Sequence, residues 1–154
     1  MVTVIEERLA ELGIQLPPAP QPVASYIPVK VVGDLAWVAG QVPMQDGAVT
    51  VAGSVGGDVT TEEANAGARR CAIQALAALG AALGSLDRVK GIVKVDVFVA
   101  SAPGFTEQPT VANGASDLLV EVFGNEGRHA RAAVGVPELP LGAAVEVALL
   151  VQLG

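Results

Sequence analysis

The chain has 154 residues, enough for one domain with its own hydrophobic core, and we expect residues 1–154 to form a single domain. Nine basic residues against sixteen acidic ones give a net charge of -7, which opposes a phosphate backbone and makes nucleic acid a disfavoured partner. Hydrophobic residues make up 51% of the chain, charged residues only 16%, and the mean hydropathy is +0.52, so we expect other subunits to cover part of the apolar surface.

The cysteine and histidine counts limit metal and redox chemistry. Cys71 is the only cysteine and His129 the only histidine, so the chain has neither an internal disulfide nor the ligands of a usual zinc site. No apolar run reaches the roughly 18 residues of a membrane span, and the first turns carry acids rather than a basic leader. These features predict a cytoplasmic protein that needs no cofactor and does not enter a membrane.

The pattern of residues 1–22 predicts a short helix and an extended connector. Apolar side chains recur at helical spacing over residues 2–12, and Gly13 stands where a C-terminal cap belongs. Four prolines then follow before residue 23, and they exclude a helix and supply no backbone donors. We expect this connector to lie over the surface of a core formed by residues 23–154.

The core begins with β-rich segments. Residues 29–32 and 35–39 are short strand-like runs on either side of a turn at Gly33, which predicts two antiparallel strands. Residues 45–58 contain many glycines and no sustained periodicity, so we expect a loop with room for one short strand at residues 48–51.

Two helices are predicted next. Thr60 and Glu63 form a capping box for a long helix over residues 61–83. Pro109 suits the first turn of a second helix of about fourteen residues, which Gly124 ends. Their apolar stripes are Ala68, Ala72, Leu76, Leu79 and Leu83 in the first helix, and Val111, Ala115, Leu118, Leu119 and Val122 in the second.

The remaining segments are predicted strands. Residues 93–99 alternate with period two, which places one β-branched face toward the core: Val93, Val95, Val97 and Val99. Residues 131–136 and 143–153 form a closing pair of strands, joined by a loop with two prolines. The order of elements predicts an α+β domain in which two helices pack on one sheet.

Two charges interrupt the closing strands. Arg131 and Glu146 each stand alone in an apolar run, and an unpaired ion in a low-dielectric interior costs several kcal/mol. Strand alternation places Glu146 on a face with small alanines and Arg131 on a face with Ala133 and Gly135, so a cavity can exist beside either charge.

These two charges are open to two interpretations. In one, they line a polar ligand pocket, where the Arg131 guanidinium holds a carboxylate and Glu146 activates a water. In the other, they form a structural ion pair that binds nothing. The spacing of the residues favours neither interpretation.

Other candidate residues are expected to have ordinary roles. We expect His129 to be solvated or at an interface, and Cys71 to pack inside the long helix. The glycine-rich residues 53–57 lack the lysine and the strand-to-helix spacing of a phosphate loop. The polar residues of the second helix are expected to be solvated or to line an interface: Asn113, Ser116 and Asp117.

Several stretches together resemble a known family. They are Val38-Ala39-Gly40-Gln41-Val42-Pro43, Val93 to Val99, and Ala130-Arg131 through Leu139-Pro140 to Val145-Glu146-Val147. Their order and spacing, from about Ser25 to Leu153, resemble the reactive intermediate deaminase (Rid, YjgF-like) family. The stretch Asn113 to Gly124, followed by Gly127 to Arg131, is similar to a bacterial subgroup with an extra N-terminal helix.

The resemblance implies a chorismate-mutase-like α+β fold, with a mixed sheet and two helices on one face. It also implies a homotrimer with clefts between neighbouring subunits. In such a cleft, Arg131 would hold the carboxylate of a 2-imino acid, and Glu146 would help water to add to the imine carbon, which releases ammonia and a 2-keto acid. Tyr26 and the backbone of Gly40 match pocket-lining positions, and we include Asn113 among the candidate substrate-binding residues.

Two pocket positions depart from the best-known deaminases of this family. Ala39 stands where they have a serine before the glycine, and Ala133 stands where they have a cysteine two residues after the arginine. Both changes remove polar groups from the expected pocket. A non-catalytic trimer that binds a small carboxylate is therefore the second hypothesis, and an endoribonuclease or translation inhibitor is the third.

Overall fold

The computed structural model describes residues 2–22 and 24–154. Met1 and Val23, the first residues of the two predicted segments, lie outside the described residues. The helices are α1 (Val4–Glu11), α2 (Thr61–Leu83) and α3 (Gln108–Phe123). The strands are β1 (Val29–Val32), β2 (Leu35–Gln41), β3 (Met44–Gln45), β4 (Ala48–Val49), β5 (Val89–Ala100), β6 (Ala130–Val136) and β7 (Val145–Leu153).

The main sheet has five strands in the order β1-β2-β7-β5-β6, and β3 and β4 form a separate small hairpin. Neighbouring strands of the main sheet are antiparallel except β5 and β6, which are parallel. The helices α2 and α3 cover one face, where the buried apolar residues form a single cluster. This mixed sheet with two long helices on one face confirms the predicted α+β fold.

Local sequence signals set the bounds of α2. The Thr60 hydroxyl accepts a hydrogen bond from Glu63 N at 3.1 Å, and Thr60 N donates back to the Glu63 carboxylate at 3.4 Å. Gly84 ends the helix with φ at +80°, a conformation that costs glycine little. The predicted apolar stripes of α2 and α3 are buried. The two helices approach closely at Gly114, where a side chain would collide with the carbonyl of Asn65.

One predicted core residue lies elsewhere. Val95, Val97 and Val99 are fully buried, as expected, but Val93 is 39% exposed. The pairing of β5 with β7 shifts register between Ile92 and Lys94, so Ile92 takes the core position that simple alternation assigns to Val93. The prediction for Val93 was wrong because a bulge resets the alternation.

The helix α1 packs on the domain through Leu9, which is buried in the core cluster, and through polar contacts. The Asp87 carboxylate accepts hydrogen bonds from Val4 N at 3.2 Å and Ile5 N at 3.0 Å, and Arg8 Nε donates to Glu121 O of α3 at 2.8 Å. The connector that follows α1 forms part of a cavity wall that is described below. Of the described helices, none combines the length and apolar character needed to cross a membrane.

Candidate functional site

Arg131 extends from the edge strand β6 toward α3. It lies in register with Val95, a fully buried residue, so its side chain is on the face of the sheet that carries the helices. Its Nη1 donates to Asn113 Oδ1 at 2.8 Å and to Ser116 Oγ at 3.1 Å. Asn113 and Ser116 are three residues apart and therefore share one face of α3. Two neutral acceptors thus hold the guanidinium in place.

His129 extends this network on the far side of Ser116. Its Nδ1 lies 2.6 Å from Gly127 O, and a carbonyl oxygen only accepts, so Nδ1 carries a proton and donates it. Its Nε2 lies 2.8 Å from Ser116 Oγ, and that oxygen has a lone pair left for Arg131 whichever of the two atoms donates. His129 therefore orients Ser116, which in turn orients the guanidinium.

These contacts refine the expectations for the polar residues. Asn113 is exposed and Ser116 half-buried, which agrees with the expected polar face of the helix. Both also accept hydrogen bonds from Arg131, which the sequence analysis did not predict. Asp117 is exposed, as expected. The three-residue spacing of an amide and a hydroxyl was the available signal, but it needed the placement of β6 beside α3 to be recognised.

Glu146 lies on β7, on the opposite face of the sheet. It pairs with Phe98, three residues along β5 from the partner of Arg131, and a separation of three residues reverses the face. Burial raises the pKa of the Glu146 carboxyl above its ordinary value of 4.5. The carboxylate is partly covered by β2, where a bulge occurs.

The bulge makes room for the carboxylate at Gly40. Val38 pairs with Leu149 and Gln41 with Val147, so the two residues Ala39 and Gly40 stand opposite a single residue of β7. A Cβ atom at position 40 would lie only 2.8 Å from Glu146 Oε1. Glycine is therefore required here for the observed position of Glu146.

The two charges do not meet within one chain. The strand β5 lies between β6, which carries Arg131, and β7, which carries Glu146. Val95 of β5 pairs with Arg131 on one side and with Leu149 on the other, and Leu149 is three residues from Glu146. Standard strand spacing and rise put the two Cα atoms about 14 Å apart, with the side chains on opposite faces. The structural ion pair considered from the sequence is therefore excluded within a single chain.

The candidate residues form two groups, each beside its own cavity. Arg131 and His129 line a cavity of about 310 Å³ next to α3, and Ala133 shares the face of Arg131 and packs against the core. Gly40, which contacts Glu146, and Tyr26 line a larger cavity of about 820 Å³. A single chain does not bring the two groups together.

None of the helices in residues 2–22 and 24–154 covers the face of the sheet that carries Glu146. Trp37 pairs with Leu150 and Val134 lies in register with Phe98, so both tryptophan and valine are on this face. They are 44% and 45% exposed. Exposed apolar side chains beside a half-buried acid are typical of a surface that another chain covers.

The remaining chemical candidates have structural roles. Cys71 is fully buried, and burial raises the pKa of its thiol, which confirms a packing role rather than a nucleophile. In the loop at residues 53–57, Ser54 N donates to the Asp58 carboxylate at 2.7 Å and Gly56 N donates to Val59 O at 2.9 Å. These amides are used within the loop. Within residues 2–22 and 24–154, His, Cys, Asp and Glu form no group of three that could hold a metal ion.

Comparison with known proteins agrees with the fold and the resemblance. The family described as "YjgF/chorismate_mutase-like, putative endoribonuclease" matches residues 6–153. "Protein TCP17" of Trypanosoma cruzi is 51% identical over 150 residues, which covers 97% of this chain and 94% of that protein.

Two solved structures cover almost the whole chain. The crystal structure of protein Atu1372 from Agrobacterium tumefaciens, of unknown function, has a TM-score of 0.91 and 47% identity over 98% of this chain and 93% of that one. A "putative endoribonuclease" from Shewanella oneidensis has a TM-score of 0.93 and 34% identity over 98% of this chain and 100% of that one. By sequence and by structure, the chain belongs to the YjgF/chorismate-mutase-like family, as its resemblance to the Rid proteins predicted.

Proposed function

We propose that this protein hydrolyses reactive 2-imino acids, or the enamines from which they form, to 2-keto acids and ammonia, in clefts between the subunits of a homotrimer. The observation that carries the proposal is the pair of charged groups on opposite faces of one sheet. An oriented guanidinium lies on one face, and a carboxyl group with a raised pKa lies on the other. A site that uses both must take them from two copies of the chain.

Arg131 is the proposed carboxylate-binding residue. Asn113 and Ser116 both bind its Nη1, and among the described residues Nε and Nη2 have no hydrogen-bond partner, so both can donate to a ligand. A guanidinium edge matches a carboxylate with two parallel hydrogen bonds. Because its protein partners are neutral, Arg131 keeps a full positive charge for the carboxylate of an imino acid.

Glu146 is the proposed proton acceptor. As a water oxygen bonds to the imine carbon, the carboxylate takes a proton from that water, and the C=N double bond becomes a single bond with its electron pair on nitrogen. The same proton then passes to the nitrogen, which gives an intermediate with a hydroxyl and an amino group on one carbon. The carboxylate next takes the hydroxyl proton and delivers it to the amino nitrogen, so that the C=O bond forms as the C–N bond breaks and ammonia leaves. A carboxyl group with a raised pKa is better matched to these transfers near neutral pH than an ordinary glutamate. The reaction needs no metal or cofactor.

The direct test is ammonia release from imines generated in situ by an amino acid oxidase. Arg131→Ala should lower kcat/KM by at least about a hundredfold, because a charge-assisted pair of hydrogen bonds to the substrate is lost. Arg88→Ala removes an equal charge at an exposed position in the turn that precedes β5 and should have no effect. If the unmutated protein does not accelerate ammonia release, the proposal fails.

A complementation experiment tests the two-copy cleft. Arg131→Ala and Glu146→Gln should each be inactive alone. When the two variants are coexpressed in equal amounts and form mixed cyclic trimers, about a quarter of all clefts combine Arg131 from one copy with Glu146 from its neighbour. Recovery of about a quarter of the unmutated activity is expected. If both groups of a site came from one chain, mixing would restore nothing.

The second hypothesis is a trimer that binds a small carboxylate without turning it over. Ala39 and Ala133 favour it, since neither supplies a polar atom to the proposed site. Calorimetry that detects 2-keto acid binding, together with no ammonia release, would support this hypothesis. Rapid turnover would exclude it.

An endoribonuclease is the third hypothesis, and it rests on the family description and on the name of the Shewanella protein. The net charge of -7 opposes an RNA backbone. Single-stranded RNA that stays intact after incubation with the purified protein would remove this option.

A further inference from the structure

The larger cavity lies between the connector and the start of the β3–β4 hairpin. Its volume is about 820 Å³, within the range of sites for small organic ligands. Residues 15–21 form part of one wall, and Arg70 of α2 lies in another. Gly40 also lines the cavity, so the cavity adjoins the Glu146 carboxylate.

Arg70 is a half-buried cation with unused donors. Its Nε donates to Met44 O at 2.9 Å, and the hydrogen bonds of the described residues include none from its two terminal nitrogens. The ion pairs found in residues 2–22 and 24–154 do not include it. Arg69, the preceding residue, instead pairs with Glu121 at 3.2 Å.

The other polar groups of the cavity are engaged or exposed. Gln74 accepts from Met44 N at 2.7 Å, and its amide nitrogen donates to Val42 O at 2.8 Å and to Gln41 Oε1 at 3.5 Å, so its amide is already engaged. Asp46 is an exposed residue in the hairpin turn and forms no ion pair with Arg70. Arg70 is therefore the charged group left for an incoming anion.

The rest of the lining is largely apolar. Leu16, Pro17 and Pro20 of the connector, Tyr26, and Leu141 from the loop before β7 all contribute to it. Leu141 lines the cavity and is 73% exposed, so it lies at the rim. Its φ of +61° is uncommon for a leucine. Apolar walls exclude water and strengthen a charge–charge contact at Arg70.

We propose that this cavity binds a carboxylic acid with an apolar body, whose carboxylate pairs with Arg70 and whose body packs against the connector and Leu141. This cavity adjoins the proposed deaminase site, because Tyr26 and Gly40 line it, but its proposed contact to the carboxylate is Arg70 rather than Arg131. Binding to Arg70 can therefore be tested apart from the proposed deamination. The connector gives it a wall made of prolines, which lose little conformational freedom when a ligand binds.

The test uses phenylacetate and its neutral analogue phenylacetamide with the full chain. Calorimetry should detect phenylacetate, while phenylacetamide binds at least about tenfold more weakly, because the charge-assisted hydrogen bonds are lost. Arg70→Gln should weaken phenylacetate binding by a similar factor. Arg69→Gln is the matched control and should leave binding unchanged.

A second measurement locates the ligand without mutation. Phenylacetate should shift the NMR signals of the methyl groups of Leu16 and Leu141 in the unmutated protein. Equal affinities for the acid and the amide, or no methyl shifts, would overturn the proposal whether or not Arg70→Gln folds. Binding that Arg131→Ala removes and Arg70→Gln spares would also overturn it, because the acid would then occupy the proposed deaminase site. If the unmutated protein binds phenylacetate but does not accelerate ammonia release from imines, only the proposed deamination is contradicted.

Discussion

Gly40→Ala perturbs Glu146 without touching its charge. The new methyl carbon would lie 2.8 Å from Glu146 Oε1 and 3.2 Å from its Cγ, whereas ordinary contacts begin at 3.4 Å. The carboxylate must therefore move by about 0.6 Å or leave its preferred rotamer, at a cost of roughly 0.5–1.5 kcal/mol. The reduced entropy of the unfolded chain offsets about 0.4–1 kcal/mol of that cost. We expect the free energy of unfolding to change by less than about 1 kcal/mol.

The effect on catalysis should be larger than the effect on stability. A catalytic group displaced by about 1 Å can lose a factor of about a hundred in rate, so a smaller shift predicts a tenfold to hundredfold decrease in kcat. KM should change little, because Arg131 lies on the other face of the sheet. Ammonia release measures the rate, and urea titration measures the stability.

Gly80→Ala is the matched control. The nearest atom to a Cβ at this position is Leu86 Cγ at 3.8 Å, an ordinary contact in the interior of α2. It should stabilise the protein by about 0.5–1 kcal/mol and leave kcat unchanged. If Gly40→Ala keeps full activity, Glu146 is not the proton acceptor. If Gly40→Ala unfolds the protein, the carboxylate cannot make a shift of about 0.6 Å at the expected cost.

Three further predictions follow from individual contacts. Glu146→Gln should stabilise the protein at pH 7 but not near pH 4. Burial raises the pKa of the Glu146 carboxyl in the folded state, so the unmutated protein becomes less stable as the pH rises above the pKa of this group in the unfolded chain. Melting temperatures of the two proteins that differ equally at both pH values would contradict this prediction. The Cys71 thiol should react with thiol reagents only as fast as the chain unfolds, since it is buried and its pKa is raised; rapid reaction of the native protein would show that α2 opens locally. Ser116→Ala should raise KM by about threefold to tenfold with little change in kcat, because Arg131 loses one of its two acceptors; Asp117→Ala, at an exposed neighbouring position, is the control.

Much of the fold could be predicted because its signals are local. The capping box at Thr60 and the glycine at position 84 gave α2 its observed bounds, Thr61–Leu83. Alternation correctly separated the two faces of β7, where Val145 and Val147 are buried under the helices. The same rule failed at Val93, because a bulge in the pairing with β7 is not visible in the sequence of β5 alone.

The site was harder to predict because it depends on strand order. Arg131 and Glu146 lie on strands that are consecutive in the chain, and the sequence gives no reason to separate them. The structure places β5 between those strands, and the parallel pairing of β5 with β6 turns Arg131 toward the helices. The bulge at Gly40 that admits the carboxylate is likewise a property of pairing with β7.

The way in which each charge is accommodated bears on its purpose. A structural ion pair would neutralise both groups and leave nothing for a ligand. Instead, Arg131 is held by an amide and a hydroxyl, which fix its direction without cancelling its charge. Glu146 is half-buried beside a glycine and keeps its carboxyl proton more readily than a solvated glutamate. Neither group has an opposite charge beside it, and a 2-imino acid held between two copies of the chain would supply what each one needs. Its carboxylate would pair with Arg131, and its N–H group or the attacking water would donate a hydrogen bond to Glu146.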